Sequence, residues 1–118
     1  MESEKQSGAS QTEKLSDARQ HSRFKLDGDL KIYSRISSVV VGRTVDISEA
    51  GLAAMLQIEV PIDQVVRLEF KLLPHDLVSI RALVRQRNVF RYGFQFVEPD
   101  SDAQELINRF CRECKPRA

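Results

Sequence analysis

Val66-Arg67-Leu68-Glu69-Phe70-Lys71-Leu72 alternates strictly between apolar and charged residues. A strand sends successive side chains to opposite faces, so this spacing puts the apolar groups on one face and the charges on the other, as in a half-buried strand. The same two-residue period returns in Val78, Ile80, Ala82 and Val84 against Ser79, Arg81 and Arg85, and again in Tyr92, Phe94 and Phe96. Phe70, Phe94 and Phe96 share the apolar phase of their strands and are predicted core residues. Pro74-His75-Asp76 and Arg87-Asn88-Val89-Phe90 supply the connections, which predicts an antiparallel meander through the middle of the chain. Upstream, residues 39–47 and 52–58 predict a strand pair joined through 46–51 and ended by Pro61, and residues 30–33 predict a first strand.

Beyond Pro99 the period becomes helical. Ala103, Leu106, Ile107, Phe110, Cys111 and Cys114 follow a Ser101-Asp102-Ala103-Gln104 capping box, predicting one amphipathic helix over about 101–114. Six short strands leave too many edges for a flat sheet, so the expected fold class is all-β with a C-terminal helix, the strands closing into a small six-stranded antiparallel β-barrel. Residues 1–17 (MESEKQSGASQTEKLSD) offer little besides Leu15 to bury and are expected to be a disordered tail. The domain is then expected over 18–114, with an arm at 18–24, the barrel at about 25–98 and a short tail at 115–118.

A length of 118 residues fits one domain, and 42% hydrophobic residues with 30% charged, five glycines and four prolines suit a globular chain, not a disordered or fibrous one. No apolar run is long enough to cross a bilayer, and none follows Met1 as a secretory signal would, so a cytoplasmic location without membrane insertion is expected. Two cysteines, Cys111 and Cys114, are too few and too local to staple a secreted scaffold, and reduced thiols are expected. The net charge of +1 conceals blocks of alternating sign: acidic over 1–18, basic over 19–43, acidic over 44–66, basic over 67–97 and weakly acidic to the end. Two basic blocks that meet in the fold would attract a small, multiply charged anion, and the acidic block between them argues against a nucleic-acid polymer as partner.

Nothing in the chain forms a catalytic constellation. His21 and His75 are the only imidazoles and lie in a charged arm and a turn; Ser48 has no nucleophile-elbow sequence around it. Cys111 and Cys114 have the spacing of half a zinc site without a second pair of ligands, and at i and i+3 they belong on a helix's apolar side. No phosphate-cradling glycine loop occurs. A protein that is not an enzyme, without metal or cofactor, is expected.

Two local patterns remain. Arg19-Gln20-His21-Ser22-Arg23 places two arginines four apart where the tail meets the barrel. Asp46-Ile47-Ser48-Glu49-Ala50-Gly51 ends one strand and starts the next. On an extended segment Asp46 and Ser48 share one face while Val45 and Ile47 share the other, so the apolar pair would anchor the strand as the polar pair faces out. Gly51 would allow a positive φ at the turn. The bland alternative is a turn whose Asp and Ser satisfy only their own backbone.

Together, RxxxR, DxSxxG some two dozen residues later, the apolar strand Gly51-Leu52-Ala53-Ala54-Met55-Leu56, the meander, Tyr92-Gly93-Phe94-Gln95-Phe96 and a terminal helix closely resemble the PilZ domain family over about residues 18–112. The resemblance implies a small β-barrel that binds the bacterial second messenger cyclic di-GMP, with Arg19 and Arg23 folding over the ligand and Asp46, Ser48 and Gly51 holding it from the barrel side. Many members carry a further arginine before the first; here Ala18 stands there, which leaves open whether one or two ligands bind. The implied function is a receptor that signals to an unidentified protein partner as its arginine arm becomes ordered. The alternative is a PilZ-like protein-interaction module with weak or no nucleotide binding. Chemistry agrees with the ligand: a guanidinium can fork onto phosphate oxygens or onto the O6 and N7 edge of guanine, and a carboxylate can accept from guanine N–H groups. Arg43, Arg81, Arg85 and Arg87 are further candidate contacts. Arg81, Arg85 and Arg87 would face the site if their strand lay next to the DxSxxG turn.

Overall fold

The computed structural model describes residues 22–35, 39–72 and 76–114. The expected tails at 1–17 and 115–118, together with Arg19, His21 and His75, lie outside the described residues. Strands β1 (Phe24–Lys25), β2 (Asp29–Tyr33), β3 (Val40–Ile47), β4 (Gly51–Leu56), β5 (Val65–Lys71), β6 (Leu77–Asn88) and β7 (Arg91–Phe96) precede one helix, α1 (Ser101–Glu113). Six of the strands pair antiparallel in the ring β2-β5-β6-β7-β4-β3, and β3 returns to β2 to close it. The expected six-stranded barrel is therefore present. The two-residue β1 is an additional strand, laid on the end of β3 beyond the reach of β2, with Phe24 opposite Ile47 and Lys25 opposite Asp46.

Alternation builds the interior. Leu30, Ile32, Leu68, Phe70, Val78, Ile80, Ala82, Val84, Phe94 and Phe96 all point inward and are buried, each large one contributing about 1.5–3 kcal/mol relative to exposure. Tyr92 is buried with them, and its hydroxyl accepts a hydrogen bond from the Val60 amide at 3.1 Å. On α1, Ala103, Ile107 and Cys111 are buried and Leu106, Phe110 and Cys114 partly so, which puts both cysteines on the apolar side. The cap differs from the one expected. Asp100, not Ser101, is the N-cap; its Oδ1 accepts from the Ala103 amide at 2.8 Å, and Ser101 is the first helical residue. The Gln104 amide, freed from a capping box, donates to Asn108 Oδ1 and to the Glu49 carbonyl, tying the helix to the β3–β4 turn. No helix among the described residues is long and apolar enough to cross a membrane.

Two bulges shift the alternation. Along β3, Val40, Gly42 and Thr44 are buried, but the register slips between Thr44 and Asp46, leaving Val45 as the extra residue. Ile47 then enters the core and Asp46 takes the outer face opposite Ala53. Along β6 the slip falls between Val84 and Gln86, so Gln86 pairs with Gly93 and Asn88 with Arg91 on the outer wall. Bulges re-aim side chains in this way. The second one also keeps β6 running to Asn88. Arg87 and Asn88, expected in a connection, are strand residues, and the turn is Val89-Phe90 alone.

Candidate functional site

The bulges place one row across four neighbouring strands: Asp46 on β3, Ala53 on β4, Gly93 on β7 and Gln86 on β6. Ala53 is buried without belonging to the core cluster, so its cover comes from the outside. Part of that cover is visible. Arg23, just before β1, sets Nη1 2.8 Å from Asp46 Oδ1, and Arg91, at the start of β7, sets Nη2 3.3 Å from Oδ2. The carboxylate is only 3% exposed, whereas the two arginine side chains are 51% and 46% exposed. A carboxylate taken out of water must be paired, and charge-assisted hydrogen bonds from guanidinium are the strong way to do it. Both cations nonetheless keep other N–H groups open to solvent. Arg23, Arg91, Ala53, Gly93, Gln86 and Asn88 line a shallow cleft of about 140 Å³.

The neighbouring turn is held by its own serine. Ser48 Oγ accepts from the amides of Ala50 and Gly51, both at 3.2 Å, and the Ser48 amide donates to the Gly51 carbonyl at 2.8 Å. The Ala50 carbonyl accepts from the Phe96 amide, which fastens the turn to β7. Two expectations about this segment change. Asp46 and Ser48 are buried instead of facing water, and Val45 is the half-buried bulge residue and not a core anchor. Gly51 has no positive φ, nor does any other described glycine. It is glycine for lack of room: a Cβ would stand 2.3 Å from the Phe94 carbonyl oxygen on β7.

The remaining candidate arginines lie apart from Asp46. β6 is not adjacent to the turn, because β7 lies between β6 and β4. Arg81 pairs with Glu98 and Arg85 with Gln95 Oε1. Arg87, turned by the bulge into the phase of Tyr92, pairs with Glu59, and the hydrogen bond to that carboxylate raises its pKa. Arg43 bridges Asp27 and Asp29; the hydrogen bond and charge of Arg43 hold the Asp27 carboxyl below its ordinary value. Arg91 was not among the sequence candidates. Its only signal was its phase, outward beside the inward Tyr92. The Cys111 thiol is pushed up to about 11, first by burial and then by the charges of Glu49 and Cys114, so it is not a thiolate nucleophile near neutral pH. Among the described residues no group of three His, Cys, Asp or Glu side chains is placed to hold a metal ion.

Solved structures share this fold. The PilZ domain of YcgR from Escherichia coli, solved with c-di-GMP, is similar with a TM-score of 0.68 at 15% identity, over 81% of this chain and 90% of that one. The Bacillus subtilis inhibitor of motility MotI is similar with a TM-score of 0.67 at 20% identity, over 80% of this chain; the match spans 49% of MotI's length. The PilZ domain of CeSA from a cellulose-synthesizing bacterium is similar with a TM-score of 0.62 at 16% identity, over 76% of this chain and 94% of that one. No curated protein matches the sequence. The family model of the PilZ domain matches residues 17–113. With a barrel closed as in those structures and a family match over most of its length, the chain belongs to the PilZ domain family.

Proposed function

We propose that this chain is a non-catalytic receptor for cyclic di-GMP, in which Arg19, Arg23, Asp46, Ser48 and Gly51 provide the ligand site. The observation that carries the reading is the 2.8 Å ion pair between Arg23 and Asp46, which joins one residue of each sequence motif at a single point on the barrel wall. The proposed capture is an exchange of partners. When Arg23 leaves Asp46 for a phosphate or a guanine O6/N7 edge, the buried carboxylate loses its 2.8 Å donor, and guanine N1–H and N2–H₂ can take that place. One ligand offers both halves of the exchange, so the buried carboxylate keeps its full set of donors. Ser48 and Gly51 hold the turn that fixes Asp46. Ordering of the arm that carries Arg19 and Arg23 is the proposed signal to a protein partner, since a ligand that favours one arm position shifts the population towards it.

A second reading has its own support. Val39, Val41, Met55, Ile58 and Phe90 are exposed apolar residues lining a groove of about 720 Å³ on the outer wall of β3 and β4, a surface suited to a protein partner. Calorimetric titration with cyclic di-GMP separates the two. The receptor reading expects saturable heat with an affinity that falls in Arg23→Ala; no heat at high micromolar ligand leaves the interaction module.

A further inference from the structure

We propose that Arg91 is the guanine-reading residue of this cleft, its guanidinium forking onto the O6 and N7 edge of a base that lies flat over Ala53 and Gly93. The inference rests on the receptor reading above and adds a residue outside both sequence motifs. Three observations carry it. The floor has almost no side chain of its own, since Gly93 has none and Ala53 only a methyl where they pair on β7 and β4. What covers it at Gly93 is the flexible Gln86 side chain, whose Cγ lies 3.0 Å from where a Gly93 Cβ would stand; a base that displaces Gln86 can approach the strand closely there. Arg91 stands beside that floor on a strand of the closed barrel, and Asp46 Oδ2 at 3.3 Å orients its guanidinium while nearly half of the side chain stays exposed. Directional base readout needs a rigid mount of this kind. Lastly, the β6 bulge turns Gln86 and Asn88 outward against Gly93 and Arg91, bounding the floor with amides that can donate and accept at a base edge.

Charge balance separates Arg91 from Arg23. Both guanidiniums hold the same carboxylate, which offsets part of their charge, so the two differ in what they can still offer a ligand. Arg23 precedes the two-residue β1, outside the barrel ring, and is the adaptable member. Arg91 is fixed and is left with geometry, which guanine rewards: a bidentate arginine on O6 and N7 discriminates against other bases.

A thermodynamic cycle on the full chain tests this, using cyclic di-GMP and its 7-deazaguanine analogue, which lacks the N7 acceptor, titrated into wild type, Arg91→Ala, Arg91→Lys and Arg23→Ala. Wild type is expected to bind the analogue about tenfold more weakly. That penalty should shrink to less than about twofold in Arg91→Ala and in Arg91→Lys, whose ammonium pairs with Asp46 but cannot fork. Arg23→Ala should bind more weakly and keep the penalty in full. A penalty that survives in both Arg91 variants, or that is absent in wild type, overturns the assignment while the receptor reading stands. A wild-type chain that takes up neither nucleotide overturns both.

Discussion

The Phe94 carbonyl oxygen lies 2.3 Å from the point a Cβ of Gly51 would occupy, so β7 runs beside the start of β4 at a distance only glycine permits. Gly51→Ala must push β4 and β7 apart beside the Ser48 turn. It is expected to destabilise the chain by about 1–3 kcal/mol, the usual cost of overpacking, and to weaken nucleotide capture with it. Urea denaturation and calorimetry measure the two effects; a variant as stable as wild type would contradict the steric account.

Arg23→Ala removes the 2.8 Å hydrogen bond to Asp46, which is shorter than the one from Arg91. Cyclic di-GMP binding should weaken by about ten- to a hundredfold, the worth of one charge-assisted hydrogen bond. Arg23→Lys should recover only part of this, because an ammonium cannot fork. Titrations of both variants at one fixed ionic strength check the order, and full recovery by lysine would reduce the role of Arg23 to charge alone.

Tyr92→Phe keeps the ring in the core and deletes the hydroxyl that accepts from the Val60 amide. A buried amide is then left without its partner, at a cost of about 1–3 kcal/mol. Thermal and chemical denaturation should both show the loss, and an unchanged midpoint would mean that water replaces the hydroxyl.

Val89 has φ 59°, a left-handed conformation that its branched Cβ disfavours, at the first position of the β6–β7 turn. Val89→Asn suits that conformation and should stabilise the chain by up to about 1 kcal/mol. The denaturation midpoint would rise; a fall would show that Val89 contributes packing that outweighs its backbone.

Burial raises the Cys111 thiol to about 11 from an ordinary value of 9.0. The fold therefore favours the protonated thiol: its contribution is complete below about pH 9 and disappears as pH climbs towards 11. Cys111→Ala should flatten that alkaline decline, seen by comparing denaturation midpoints at about pH 8 and about pH 10.5. An equal decline in the variant would assign it to other groups.

The barrel was legible wherever one face of a strand is buried and the other wet. Residues 66–72, 78–84 and 92–96 show their phase in the sequence because burial selects every second side chain. β1 was not separable from the arm, since two residues carry no period. Arg87 and Asn88 read as part of a connection because the bulge at Arg85 breaks the alternation and leaves a polar run that resembles a loop. At the site, the residues of both motifs were legible as candidates, and the structure sets Arg23 of the first against Asp46 of the second. Arg91 stayed hidden because its contact arises only when β3, β4 and β7 lie side by side, 45 residues from Asp46 along the chain. The reason for Gly51 was equally invisible: the clash comes from the neighbouring strand β7, distant in sequence, and not from its own backbone.

Gln104 reaches from the terminal helix to the Glu49 carbonyl, in the same turn whose serine braces Gly51 and whose start is Asp46. Helix and turn thus share one lever. A displacement at the carboxylate end would strain that 3.2 Å tether, and a load on the helix would reach the turn by the same hydrogen bond.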